Sequence, residues 1–264
     1  MIVLIVAGLA ILLIVSSYLT PKSLEIENIT PNNDNLNITE DGKADLHFDI
    51  KSNVNQTWIN PIVEPKVVND NGNYLQVNNL PYDAPITGKG GNTEPLDMAF
   101  SATNSEGSLL KYKVYLQLYS NGTSDILDNK TITVTILPLQ SDILPRQTSY
   151  SQDIKFDNIS SDPIQIKAGE SKSITFDILG VGDGTYSNIA VKPEIVHSSQ
   201  KYLMSTEKDF SGNITKGQRI GSQTIQIEAI QSEGDELDYQ VYLDLYANGQ
   251  LMDSYPVNVA ILSQ

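Results

Sequence analysis

"YKVYLQLYSNG" runs from Tyr112 to Gly122, and "YQVYLDLYANG" runs from Tyr239 to Gly249, 127 positions later. In an extended chain successive side chains point to opposite faces, so Tyr112, Val114, Leu116 and Leu118 fall on one side. Lys113, Tyr115, Gln117 and Tyr119 fall on the other. The second copy keeps the first set as Tyr239, Val241, Leu243 and Leu245 and varies the second. This is the pattern of a strand with one buried face. The Asn-Gly pair that follows favours left-handed backbone, which predicts a tight turn into a partner strand.

The correspondence reaches well beyond this strand. Ser105 to Gly122 matches Ser232 to Gly249 at 12 of 18 positions without a gap. Upstream, at an offset of 128, "LHFDI" (Leu46 to Ile50) aligns with "ITFDI" (Ile174 to Ile178), and "TWINPIVEPKVV" (Thr57 to Val68) with "TYSNIAVKPEIV" (Thr185 to Val196). "IENIT" (Ile26 to Thr30) answers "FDNIS" (Phe156 to Ser160). Such a repeat divides the chain into an anchor segment at 1–20, one unit at 24–137, a Pro-containing polar linker at 138–153 and a second unit at 154–264. Outside the first 20 residues no stretch holds a helical period, and turn residues recur about every ten positions. The expected fold class is all-β, two tandem β-sandwiches.

Several residues give the sandwich a more specific likeness. "DELDYQV" (Asp235 to Val241) resembles the approach to strand F of an immunoglobulin-like domain, where a tyrosine corner sits two residues before the disulfide cysteine. Here Tyr239 and Tyr112 take the tyrosine position, and Val241 and Val114 stand where the cysteine would be. Trp58 follows "LHFDI" as a strand-C core tryptophan would, with Tyr186 as its counterpart. The order "IKAGESKSITFDI", "YSNIAVKPEIV", "ITKGQRIGSQTIQIEAI", "YQVYLDLYANG" is similar to tandem immunoglobulin-like repeats of archaeal surface-layer-associated proteins and to bacterial cell-adhesion-related domains. That resemblance implies extracellular scaffolding, adhesion or spacing.

"MIVLIVAGLAILLIVSSYLTPK" carries no charged side chain before Lys22. Its apolar run, at about 1.5 Å per residue, spans about 30 Å of hydrocarbon, which predicts a single transmembrane anchor over 1–20. The competing reading is a signal peptide cut after Ser17. Seven Asn-x-Ser/Thr sequons, at Asn28, Asn37, Asn55, Asn121, Asn129, Asn158 and Asn213, are candidate glycosylation sites and point to β-domains outside the cell membrane.

A net charge of −15 repels phosphate backbones, so nucleic acid is not an expected partner. With no cysteine there is no disulfide and no thiol chemistry. Two histidines, His47 and His197, offer little acid–base chemistry, and His47 reads as a strand-surface residue. Ser-x-x-Lys at Ser198–Lys201 and Ser205–Lys208 lacks both the helix and the partner motifs of a penicillin-recognising site. The loops at 69–73 and 180–186 are oxygen-rich enough to consider calcium but lack the carboxylates of a dedicated loop. No enzyme and no cofactor are expected.

The outward tyrosines Tyr115, Tyr119, Tyr242 and Tyr246 are the one surface feature that repeats. They are candidates for a contact surface with a protein partner or a second copy. The expected function is a membrane-anchored cell-surface spacer or adhesion module, with an extracellular filament subunit as the alternative.

Overall fold

The computed structural model describes residues 23–31, 35–71, 73–103, 109–120, 124–138, 151–160, 163–196 and 201–264. The expected anchor at 1–20, the sequon at Asn121, His197 and the Ser-Glu-Gly triplet at 105–107 lie outside them. Among the described residues every regular element is a strand.

The first unit contains β1 (Leu24–Thr30), β2 (Asn35–Thr39), β3 (Lys43–Ser52), β4 (Thr57–Trp58), β5 (Ile62–Val67), β6 (Leu75–Val77), β7 (Leu80–Pro81), β8 (Ile86–Thr87), β9 (Leu96–Ala102), β10 (Leu109–Tyr119) and β11 (Ile126–Leu137). The second contains β12 (Ile154–Asp157), β13 (Ile164–Lys167), β14 (Ser171–Gly180), β15 (Thr185–Tyr186), β16 (Ile189–Ile195), β17 (Leu203–Ser205), β18 (Lys208–Phe210), β19 (Ile214–Thr215), β20 (Arg219–Ala229), β21 (Glu236–Ala247) and β22 (Gln250–Leu262).

One sheet of the first unit has the order β1-β3-β9-β6, and the second unit repeats it as β12-β14-β20-β17. The facing sheets run β2-β11-β10-β5-β7 and β13-β22-β21-β16-β18, with β2 and β13 parallel to their neighbours. Four strands opposing the C-F-G trio is the immunoglobulin-like arrangement, extended here at both edges of the second sheet.

The alternation in the repeated phrase is obeyed. Tyr112, Val114, Leu116 and Leu118 are fully buried in β10, and Tyr239, Val241, Leu243 and Leu245 are buried in β21. Val114 and Val241 pack where an inter-sheet disulfide would stand, so apolar burial supplies the contact between the sheets. At the β21–β22 hairpin Asn248 and Gly249 both have positive φ, 52° and 77°, as a two-residue type I′ turn requires.

A bulge recurs in both units. The β10–β11 register shifts between Leu118 and Tyr119, and the β21–β22 register between the equivalent Leu245 and Tyr246. Each shift places an aspartate opposite the inward leucine. Asp128 then accepts a hydrogen bond from Ile26 N (2.9 Å), and Asp253 accepts one from Phe156 N (2.8 Å), tying the two sheets together. Sequence reading did not anticipate these clamps, since the aspartates look like ordinary turn residues.

Trp58 departs from expectation. It lies in the short β4–β8 ribbon that precedes β5, half-buried against the core, rather than within the strand that pairs with β10. Its counterpart Tyr186 sits likewise in the β15–β19 ribbon. Pro61 and the left-handed Asn60 end the ribbon before β5 begins, and the second unit keeps the left-handed residue as Asn188.

The two sandwiches are not beads on a string. β10 pairs antiparallel with β21 through Leu109↔Asp238, Leu110↔Leu237 and Lys111↔Glu236, which fuses the second sheets into one of ten strands.

Candidate functional site: the interdomain junction and the shared sheet face

The centre of the β10–β21 pairing is Leu110 opposite Leu237, and these are the same position of the repeat, 127 residues apart. An antiparallel pair centred on equivalent residues has an approximate two-fold axis perpendicular to the sheet. Tyr74 and Tyr202, equivalent at an offset of 128, obey the same axis, since their hydroxyls meet at 3.2 Å. The domains therefore join through like surfaces.

Glu233 lies at the heart of the junction and is fully buried. A buried carboxylate needs hydrogen-bond donors to offset its lost hydration. Tyr112 of the first domain donates to Oε1 at 2.8 Å, and Tyr202 donates to Oε2 at 3.2 Å. Burial first, then the negative charge of Glu233, pushes the Tyr112 hydroxyl well above the ordinary tyrosine range. Burial also raises Tyr202, aided by its bonds to Tyr74 and Glu233. Asp70, beside this group, is raised chiefly by burial and accepts a bond from Tyr74 N at 3.1 Å. The Lys201 ammonium covers the tyrosines from outside, 4.9 Å from the Tyr202 ring centre and 5.8 Å from that of Tyr74.

Tyr112 thus corrects the tyrosine-corner expectation. Its hydroxyl reaches across to the other domain instead of back to its own backbone. Next to Glu233, Gly234 has φ of +63°, donates its N–H to Asn69 O (3.0 Å), and leaves no room for a Cβ, which would stand 2.2 Å from Lys111 O. Asp235 N donates to that same oxygen at 2.7 Å. Asn69 and Asn71 amides donate to Gly234 O and Ser232 O. On the outer side Lys111 pairs with Glu236 at 2.5 Å, and Lys113 with Asp235 at 3.3 Å.

Tyr115, Tyr119, Tyr242 and Tyr246 all lie on the outer face of the ten-stranded sheet, half-buried. Tyr119 donates to Gln117 (3.0 Å), Tyr242 donates to Gln240 (2.9 Å), and the Lys192 ammonium lies 6.0 Å from the Tyr246 ring centre. Their cross-strand neighbours are Thr131 and Lys66 for Tyr115, and Glu194 and Pro256 for Tyr242.

The six described sequon asparagines are all exposed, yet two of them have other work. Asn28 and Asn158 adopt positive φ, 53° and 49°, where the edge strands leave the sheet, and their amides donate to Asp49 (2.6 Å) and Asp177 (2.9 Å). The hydroxyl two residues on is also engaged, Thr30 with Asn28 O and Ser160 with Thr175. The Asn158 amide, with Ser222 N and Arg219, holds the Asp177 carboxyl down to about 2. Asn37 and Asn129 lie on the outer face of the first domain's sheet, and Asn55 and Asn213 lie in loops. In a glycosylating host, peptide mass mapping is expected to find Asn55 and Asn213 modified and Asn28 and Asn158 bare. A glycan on either of the last two would overturn this.

His47 lies exposed on β3, with Nδ1 2.5 Å from Asp97 Oδ1. Ser205 and Lys208 lie on separate strands, so that Ser-x-x-Lys has no helical face. Among the described residues no three His, Asp or Glu side chains gather as metal ligands. In the loop at 180–186 the Tyr186 ring closes over Gly182 and Gly184.

No known protein family matches the chain, and no curated protein resembles it in sequence. Similar solved structures include a transglutaminase of red sea bream (9% identity, TM-score 0.32, over 93% of this chain and 32% of that one). Others are the periplasmic chaperone SfaE (8%, 0.29, over 91% and 100%) and the calcium-binding domain CBD12 of CALX1.1 (8%, 0.27, over 84% and 80%). The chain thus spans about a third of the length of the transglutaminase. None of these similarities is high enough to carry an activity or a ligand to this chain.

Proposed function

We propose that the chain is a non-catalytic surface module, held at the cell membrane by residues 1–20, in which two immunoglobulin-like domains act as one rigid spacer and interaction platform. The observation that carries this is the junction. A linker with independent domains would need only exposed polar chain between them. This chain instead commits a buried glutamate, three tyrosines, a sterically obligatory glycine and a shared sheet to fixing one interdomain geometry. That investment suits a protein whose role is to present a surface at a set distance and angle. The apolar segment and the sequons support display outside the cell.

Protease shaving and surface biotinylation of intact cells test the display. Labelling of residues 23–264 from outside is expected, and β-domains inaccessible until lysis would overturn it. Electron microscopy of sheared surface material that placed the chain in filaments would favour the filament-subunit reading instead.

A further inference from the structure

The first domain carries an apolar row at the end remote from the junction. Across the outer face Ile126 of β11 stands opposite Tyr119 of β10, Tyr119 opposite Ile62 of β5, and Ile62 opposite Pro81 of β7. Ile126 is 48% exposed and Pro81 is exposed, while Ile62 and Tyr119 are half-buried. Ile59, just before β5, is 62% exposed. Contiguous apolar side chains facing water mark a contact surface. The second domain, built on the same plan, does not repeat the row, whose equivalents there are Leu251, Tyr246, Ala190 and Asp209. Ser187 replaces Ile59 and donates to Asn248 at 2.8 Å. The fold therefore does not require these apolar residues, and they belong to one end of the molecule.

The chain enters at that same end. Leu24 pairs with Ser52, whose carbonyl accepts from Gly90 N at 2.7 Å in the turn after β8, and β8 pairs with β4 at Trp58. Across the sandwich Ile26 N reaches Asp128, two residues beyond Ile126. Only Pro21, Lys22 and Ser23 separate Leu24 from the apolar segment at 1–20, a reach of no more than about 14 Å.

We propose that this end of the first domain rests on the lipid surface, with Ile59, Ile62, Pro81, Tyr119 and Ile126 against the headgroup region of the bilayer that the N-terminal segment enters. The proposal rests on the membrane-anchor reading and names the face that the anchor brings down. A row of this size binds lipid weakly by itself, but so short a tether holds it at high effective concentration. Tryptophan and tyrosine rings favour the headgroup level, and Trp58 and Tyr119 lie at this end. The row itself is uncharged, so the contact is apolar and suits a zwitterionic surface. Asp83 and Asp125, exposed beside its two ends, disfavour an anionic one.

The test reads Trp58, the chain's only tryptophan and the neighbour of Ile59. The full chain, unglycosylated, is reconstituted into phosphatidylcholine vesicles with and without a lipid bearing a nitroxide on its headgroup, a short-range quencher. Trp58 emission is expected to fall about twofold with the quencher, as for a ring held at the headgroup level. The triple variant Ile59→Ser, Ile62→Ala, Pro81→Asp carries the second domain's own residues, and circular dichroism checks that it folds. It is expected to float with the vesicles as the native chain does and to lose most of the quenching. Equal quenching of native and variant chains overturns the proposal, as does a native chain that floats and is not quenched. Emission that follows the protein-to-lipid ratio and ignores the nitroxide would put a second copy on the row and overturns it too. A chain that does not float overturns the anchor reading and this one with it, so the two failures are told apart.

Discussion

Gly234→Val is expected to part the two domains while leaving each sandwich folded. A β-branched residue at φ of +63° is strained by about 1–3 kcal/mol, and its Cβ would stand 2.2 Å from Lys111 O. That oxygen cannot withdraw without losing its bond from Asp235 N. Strain and clash together put the cost on the order of 4 kcal/mol, and the clash falls on Lys111 O and the edge of the Tyr112 ring, where β10 meets the second domain. Small-angle scattering should show a broadened, longer interdomain distribution, and hydrogen exchange should accelerate at residues 109–111 and 235–238 while the inner strands stay protected. An unchanged scattering profile would refute the obligatory-glycine argument.

Glu233→Ala comes next in size. It removes the acceptor of two buried hydroxyl bonds and leaves a void at the junction, at a cost of about 3–5 kcal/mol to domain pairing. Glu233→Gln keeps the shape and one acceptor oxygen, so its expected cost is about 1–2 kcal/mol. The pH dependence follows from the same group. Tyr112 and Tyr202 are raised above the ordinary tyrosine value near 10, so they stabilise the paired state fully below that pH. Their contribution is lost as pH rises through the higher folded values. In the native chain the junction is expected to open only at strongly alkaline pH, and in Glu233→Ala, without the carboxylate that helps raise both hydroxyls, it is expected to open at a lower alkaline pH. Tyrosinate absorbance and scattering followed together on one alkaline titration check this. Junction tyrosines that ionise with the exposed ones would contradict it.

Strand F was legible because its signal is local. Period-two alternation in "YKVYLQLYSNG" specifies which side chains face in, and water exclusion from Val114, Leu116 and Leu118 enforces it wherever the strand is placed. The duplication was legible for the same reason: two segments with one pattern of buried positions fold alike. The Asp128 and Asp253 clamps were not, because a bulge turns them inward and bulges follow from how two strands pair. Trp58 reads from the sequence as a strand-C residue because an aromatic beside a strand looks like one within it, and the left-handed Asn60, with Pro61, marks where the chain breaks.

The candidate contact tyrosines were placed on the outer face by alternation alone, and their neighbours came from the sheet. Asn28 and Asn158 show the opposite case, where the sequon triplet is visible and its engagement by Asp49 and Asp177 is not, since those partners lie about twenty residues away on another strand.

Composition and periodicity by themselves determined an all-β chain of two repeated units with an apolar beginning and a strongly acidic balance of charge. Those properties are sums over residues or patterns within one strand, and no partner is needed to express them. Only the tertiary structure decided that the units share one sheet, that Tyr112 serves the neighbouring domain, and that Glu233 and Gly234 fix the angle between them. These depend on groups more than a hundred residues apart meeting about an axis, and a carboxylate in "SEG" is an ordinary loop residue until another domain's hydroxyl is buried against it.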